Sequence, residues 1–166
     1  NVEGAGGLAR AAEAGIPTKV ISHKNRTRED FDAEIDAVLH EAGIEIACLA
    51  GFMRILSDGF VKAWEGRLLN IHPSLLPAFK GVRVHEQVLA EGVRVSGCTV
   101  HYVVPELDAG PIVAQEAVPV LPGDSAESLA ARVLEAEHRV YPAAVKLVAL
   151  GKVKLDHLAA GEIDAV

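Results

Sequence analysis

This chain of 166 residues contains few cysteines and few aromatic residues. It has no long apolar run, and its basic residues are outnumbered by its acidic ones. No apolar run approaches the roughly 18–20 residues that a membrane-spanning helix needs, so we expect no membrane partner. The formal net charge is −7 and no stripe of Lys and Arg is present, which argues against a nucleic-acid surface. Half of the residues are apolar and 23% are charged, so we expect a soluble globular domain rather than a disordered chain.

The two cysteines, Cys48 and Cys98, match no zinc-binding spacing. Each lies in an apolar, strand-like run. We therefore expect both to be buried free thiols in a reducing cytoplasm.

Apolar periodicity and turn residues predict helices alternating with strands up to about residue 93, and then two strands without a helix between them. The run at 44–50 is continuously apolar, which predicts a strand buried on both faces. We therefore predict an α/β fold with a Rossmann-like, mostly parallel sheet, helices on both faces and a late antiparallel strand. The predicted strands cover 18–22, 44–50, 67–72, 96–104 and 112–120, with a weak one after 152; the predicted helices cover 7–14, 28–42, 57–65, 84–90 and about 125–150.

Polar side chains gather at the end of the strand predicted at 67–72. Side chains alternate along a strand, so Asn70 and His72 should point to the same face, and Pro73 should end the strand. A carboxylate, Asp108, follows in the Leu-Asp-Ala-Gly-Pro segment at 107–111. An imidazole, an amide and a carboxylate suit acyl transfer, since a carboxylate favours the charged imidazole and an amide N–H stabilises an oxyanion.

Two other chemistries are less well supported by these residues. A nucleophilic Ser74 would lack the Gly-x-Ser-x-Gly turn that exposes such a serine. A metal site is a further alternative, and its candidate ligands are His72, His85, His101 and Asp108. Their spacing is not compact, so we expect no metal. Direct attack by a bound amine on an acyl carbon needs no protein nucleophile and fits best.

Asn70, His72 and Asp108, with the Ser-Leu-Leu-Pro that follows His72-Pro73, resemble the catalytic triad of the folate-dependent formyltransferases. Within that superfamily the chain resembles the phosphoribosylglycinamide formyltransferases most. The resemblance runs from near residue 1 to about residue 155, which makes 1–155 a formyltransferase domain and 156–166 a C-terminal tail. The blocks that carry it are 49–56, 79–87, 97–101, 115–120 and 137–142.

The resemblance implies transfer of a formyl group from 10-formyltetrahydrofolate to the amine of glycinamide ribonucleotide, in purine biosynthesis and by a monomer or homodimer. It implies that His72 donates a proton to the formyl oxygen and that Asn70 hydrogen-bonds the same oxygen. Asp108 would keep His72 charged and help to relay the proton that the amine loses.

The resemblance also implies binding residues for the two small-molecule partners. An apolar wall with backbone polar contacts suits a flat pterin, and two arginines would meet the glutamate tail of the folate. The folate residues implied are Arg28, Met53, Arg54, Ile55, Leu56, Val104 and Asp108; those implied for the ribonucleotide are Gly51, Met53, Asn70 and Glu137.

Members of this family begin with a strand, a glycine-rich loop and a helix that bind the substrate's phosphate. The resemblance implies that this first βα unit is missing from 1–166, and we expect residues 1–166 alone to be unstable or weakly active.

Rival functions are formyltetrahydrofolate deformylase, which passes the formyl group to water, and a non-catalytic folate-binding domain. The negative charge argues against a methionyl-tRNA formyltransferase.

Overall fold

The computed structural model describes residues 1–159 of the chain. These residues divide into two compact units, one made of Asn1–Ile44 and Ile55–Phe60, the other of Glu45–Arg54 and the chain from Val61 onward. The helices are α1 (Gly6–Glu13), α2 (Arg28–Glu41), α3 (Asp58–Ala63), α4 (Val84–Glu91), α5 (Ala126–Ala149) and α6 (Leu155–Ala159). The strands are β1 (Ala47–Leu49), β2 (Leu68–His72), β3 (Val95–Tyr102) and β4 (Ile112–Pro119).

In the first unit, side-chain caps fix where the helices begin. Thr27 caps α2 by accepting the Asp30 N–H over 3.1 Å. Ser57, the first residue of the helix predicted at 57–65, accepts the Phe60 N–H over 3.3 Å. The buried carboxylate of Asp32 accepts the Ser57 N–H over 2.6 Å, so the segment 55–60 is tied to α2.

The second unit contains one four-stranded sheet in the order β1-β2-β3-β4. β1 pairs with β2 in parallel, whereas β2 with β3 and β3 with β4 are antiparallel. The predicted α/β class and the late antiparallel strand are confirmed. The described sheet is mixed, however, and its parallel part is smaller than predicted, because the stretch 18–22 forms no strand.

The first strand also differs from its prediction. β1 is only three residues long, and the Cys48 side chain is exposed. The prediction that this run is buried on both faces, and that Cys48 is buried, was therefore wrong. Cys98 is buried as predicted, and both thiols are free. After 152 the chain forms α6 rather than a weak strand, and residues 160–166 of the predicted tail lie outside the described residues.

One face of the sheet is covered by α4 and α5. Their apolar residues form the core cluster with Cys98 of β3 and Val118 of β4. The helical members are Val84, Val88, Leu129, Val133 and Ala136. Since strand side chains alternate, the neighbours of Cys98 on β3 face away from this core. The opposite face of β2 and β3 is therefore free to carry polar groups.

The long helix α5 is anchored at both ends. Ser125 and Ser128 form a reciprocal capping box at its start. Its far half continues through Pro142 as one helix, and the neighbouring Tyr141 hydroxyl lies 2.9 Å from the Leu49 carbonyl and 3.1 Å from that of Leu69. This hydroxyl links α5 to both β1 and β2, so the strand that carries Asn70 and His72 has a fixed position.

Candidate active site

Asn70 and His72 lie at the carboxyl end of β2, on the face away from the core. In the register of β2 with β3, Asn70 is opposite His101 and His72 is opposite Thr99. His72 is buried, with 4% of its surface exposed. The sequence prediction that Asn70 and His72 share a face agrees with the contact of Asn70 to His101 of β3 and with the contact of His72 to Asp108 of the loop after β3.

Asp108 comes to this pair from the loop between β3 and β4. Its Oδ2 lies 3.5 Å from His72 Nδ1, and only 8% of the Asp108 side chain is exposed. The Gly81 N–H donates to the same oxygen over 2.8 Å. Asp108 has a φ of 47°, a left-handed backbone conformation that non-glycine residues adopt rarely. The structure therefore brings together all three residues of the implied triad.

His101 is a fourth member of the cluster. Its Nδ1 donates to the Tyr102 carbonyl over 2.9 Å, and its Nε2 lies 3.2 Å from Asn70 Nδ2 and 3.9 Å from Asp108 Oδ1. Alternation along β3 puts His101 on the same face as Thr99, but alternation alone does not identify the residue that His101 contacts. The partner follows from the register of β2 against β3.

Thr99 and Gln115 fasten the loop that follows His72 to the sheet. The Thr99 hydroxyl donates to the Ser74 carbonyl over 2.7 Å and accepts the Leu76 N–H over 3.0 Å. Gln115 Nε2 donates to the Leu76 carbonyl over 3.0 Å. Ser74 is fully buried and its hydroxyl donates to the Ala78 carbonyl over 2.6 Å. In this conformation Ser74 shapes the loop rather than presenting a nucleophile.

The backbone of this loop also contacts the imidazole. His72 Nε2 lies 2.8 Å from the Phe79 carbonyl. A carbonyl oxygen can only accept a hydrogen bond. Nε2 therefore carries a proton and donates a hydrogen bond to the Phe79 carbonyl. Phe79 has a φ of 55°, in the left-handed region. A formyl oxygen that takes the Nε2 proton must replace this carbonyl.

The residues implied for folate binding are spread over both units. In the second unit Met53 is 74% exposed, Arg54 is exposed and Val104 is half-buried on the chain segment that leads to Asp108. In the first unit Ile55 is 65% exposed, Leu56 is buried and Arg28 is exposed at the first turn of α2. Within the second unit, the exposed apolar side chain of Met53 is compatible with a binding surface. The contacts of all these residues to folate remain predictions.

Of the residues implied for the ribonucleotide, Asn70 alone belongs to the triad. Gly51 is exposed, with a φ of 62° that favours glycine. Glu137 is half-buried on α5, and burial raises the pKa of its carboxyl. Burial first, and then the charges of Glu137 and Glu116, raise the pKa of the Cys98 thiol to about 11. Within residues 1–159 no hydrogen bond or ion pair joins Glu137 to the triad.

The alternative metal site gains no support from the described part of the chain. Residues 1–159 contain no group of three or more His, Cys, Asp and Glu side chains placed to hold a metal ion. His85 lies near His72, and burial, followed by the charge of His72, lowers the pKa of His85. Its Nδ1 is buried without a hydrogen-bond partner among the described residues.

Within residues 1–159, no helix has the length and apolar character needed to cross a membrane.

Burial of His101 makes the stability of the protein depend on pH. Burial lowers the pKa of His101 below its usual 6.5, although the Tyr102 carbonyl and Asp108 oppose this, while His72 and Lys80 add to it. As the pH falls, the unfolded chain therefore binds a proton at this residue before the folded chain does. The contribution of neutral His101 to the free energy of unfolding is complete above about pH 6.5 and is lost as the pH falls below it. We expect the free energy of unfolding, measured with urea, to fall less in His101→Gln than in the wild type when the pH is lowered from about 7.5 to about 5. The exposed His138→Gln controls for loss of an imidazole, and equal losses in wild type and His101→Gln would contradict the assignment.

Residues 1–145 match the formyl transferase family. The chain belongs to the formyl transferase family. It is 44% identical over 155 residues to the phosphoribosylglycinamide formyltransferase of Escherichia coli, covering 93% of this chain and 73% of that protein. It is also 60% identical over 156 residues to the trifunctional purine biosynthetic protein adenosine-3 of Gallus gallus, covering 93% of this chain but only 16% of that protein. The chain thus spans about a sixth of the length of this trifunctional relative.

Solved structures of this family have the same fold. The crystal structure of phosphoribosylglycinamide formyltransferase from Anaplasma phagocytophilum superposes with a TM-score of 0.85 at 52% identity, covering 92% of this chain and 72% of that one. The enzyme from Coxiella burnetii, in complex with CHES, gives a TM-score of 0.86 at 40% identity, covering 92% and 72%. The predicted family and the Rossmann-like α/β fold are confirmed, and the relatives are transferases.

Proposed function

We propose that this chain transfers the formyl group of 10-formyltetrahydrofolate to the amine of glycinamide ribonucleotide in de novo purine biosynthesis. The observation that carries the proposal is the cluster of half-buried Asn70, buried His72 and the largely covered Asp108 side chain at the end of β2, in a chain of the phosphoribosylglycinamide formyltransferase branch. The two substrates are small molecules, and we propose a cytoplasmic monomer or homodimer that needs no metal.

The proposed reaction begins with attack of the amine nitrogen on the formyl carbon. The carbonyl electron pair moves to the oxygen, which receives the Nε2 proton of His72 in place of the Phe79 carbonyl. Asn70 donates a second hydrogen bond to this oxygen from Nδ2. Donors aimed at a developing oxyanion in a buried site give large rate effects, about 10²- to 10³-fold for one donor.

Asp108 serves the proton balance of the reaction. Its Oδ2 faces His72 Nδ1, so its negative charge favours the imidazolium that donates. The attacking nitrogen must lose one proton, and N10 of the folate must gain one when the tetrahedral intermediate collapses and the C–N10 bond breaks. We propose that Asp108 takes up the amine's proton, through water, and that this proton is passed on to N10. As the C=O bond re-forms, the oxygen returns its proton to His72 Nε2.

The proposal is tested by following release of tetrahydrofolate from 10-formyltetrahydrofolate with and without glycinamide ribonucleotide. We expect release only when the ribonucleotide is present, because its amine is the acceptor. Release at the same rate without it would identify a deformylase and overturn the proposal. Folate binding without release in either mixture would indicate a non-catalytic binding domain.

A further inference from the structure

We propose that His101 is a positioning residue that holds the Asn70 amide with an N–H free to donate to the formyl oxygen. This inference rests on the proposed transfer reaction, because it assigns His101 a task within that site. His101 itself touches neither the folate nor the amine in this scheme, and it acts only through Asn70.

The Tyr102 carbonyl fixes the orientation of the His101 ring independently of Asn70. His101 lies directly opposite Asn70 in the pairing of β2 with β3, and only 3% of its surface is exposed. Its Nδ1 is 2.9 Å from the Tyr102 carbonyl. Because a carbonyl can only accept, Nδ1 must carry a proton. The ring orientation and the location of one proton follow from this contact.

The other nitrogen of His101 then accepts from Asn70. His101 Nε2 lies 3.2 Å from Asn70 Nδ2, and an amide nitrogen can only donate. Nε2 is therefore unprotonated, and His101 is the neutral Nδ1–H tautomer. Asp108 Oδ1, at 3.9 Å from Nε2, is beyond hydrogen-bond distance and does not compete for this atom.

This hydrogen bond decides which end of the Asn70 amide is used in the reaction. An amide NH₂ group has two protons, so one N–H bonded to His101 leaves the other available. A protonated Nε2 would instead attract the amide oxygen, and the two ends of the amide would exchange places. The neutral His101 therefore fixes the polarity of Asn70 as an oxyanion donor.

Two substitutions at His101 separate this role from simple packing. Gln has an oxygen as many bonds from Cα as His Nε2, so His101→Gln keeps an acceptor, whereas His101→Leu fills the space without one. We expect His101→Leu to lower the single-turnover transfer rate by about 10- to 100-fold, less than the roughly 10²- to 10³-fold for loss of a whole donor. The KM for folate should not change, and His101→Gln should recover most of the rate. Equal losses in the two variants would overturn the proposal.

A double mutant tests whether His101 acts through Asn70. In an Asn70→Ala background, His101→Leu should cost little more than Asn70→Ala alone, because residues that act as a unit are not additive. A full additional loss would show that His101 acts by another route and would contradict the inference.

The tautomer can be measured without any assay of activity. The ¹⁵N chemical shifts of His101 in the wild-type protein, assigned by their absence in His101→Gln, should show a protonated Nδ1 and an unprotonated Nε2 at neutral pH. An imidazolium or an Nε2–H tautomer would overturn the inference even if formyl transfer is confirmed. The expected tautomer in a protein that transfers no formyl group would reject the proposed function and leave the His101–Asn70 hydrogen bond supported.

Discussion

Replacing Asp108 with Asn is expected to lower formyl transfer by about 10²- to 10⁴-fold, the range of a general acid–base contribution. Asn has nearly the same shape as Asp, so its oxygen can still accept the Gly81 N–H that Asp108 accepts over 2.8 Å. What is lost is the negative charge 3.5 Å from His72 Nδ1. Without it, the imidazolium in a buried site loses the partner that stabilises its charge. The rate is measured in single turnovers with the protein in excess.

Folate binding distinguishes this effect from general damage to the loop. We expect the dissociation constant for 10-formyltetrahydrofolate to change little in Asp108→Asn. Glu106→Gln is the matched control, because it removes an exposed carboxylate from the same loop and should keep the wild-type rate. If Asp108→Asn retained most of its rate, Asp108 would be a turn residue rather than part of the chemistry.

Replacing Gly110 with Ala is expected to destabilise the protein by about 3 kcal/mol or more, at or above the top of the usual range for an overpacked site. A Cβ at this position would lie 1.8 Å from the Tyr102 carbonyl oxygen and 2.8 Å from its carbon. Gly110 cannot move away easily, since the neighbouring Pro111 carbonyl accepts the Tyr102 N–H over 3.0 Å. The Tyr102 carbonyl also accepts from His101 Nδ1. The clash should therefore displace both His101 and the loop that carries Asp108.

Urea unfolding and single-turnover transfer measure the two consequences of this change. Gly7→Ala is the matched control, because its Cβ would meet nothing within 4 Å and it lies in α1. We expect Gly7→Ala to keep or slightly raise stability, as Ala is favoured over Gly in a helix by up to about 1 kcal/mol. Wild-type stability in Gly110→Ala would show that the Gly110–Tyr102 approach is looser than the structure gives.

The polar face of β2 could be predicted because strand geometry alone determines it. Alternation places Asn70 and His72 together, and Pro73 ends the strand whatever the surroundings. Helix caps were similarly accessible, since Ser57 caps α3 through its own hydroxyl. Such features depend on a few neighbouring residues, and the sequence contains all of them.

Other features depend on distant backbone and could not be predicted. The Phe79 carbonyl and the Gly81 N–H reach the triad from a loop, and every residue type except proline carries both of these backbone groups. Whether the stretch 18–22 forms a strand depends on a neighbouring strand with which it can pair, and β propensity does not show whether such a neighbour is there. Exposure of Cys48 likewise depends on what covers β1, which an apolar run does not reveal.

The fate of a labelled formyl group tests the central claim most directly. The protein, in excess, is mixed with 10-formyltetrahydrofolate that carries ¹³C in the formyl group and with glycinamide ribonucleotide, and the products are identified by mass spectrometry. We expect the label on the amine nitrogen of the ribonucleotide, at a rate that falls sharply in Asp108→Asn. Label recovered as formate, or retained on the folate while both substrates are bound, would contradict the account.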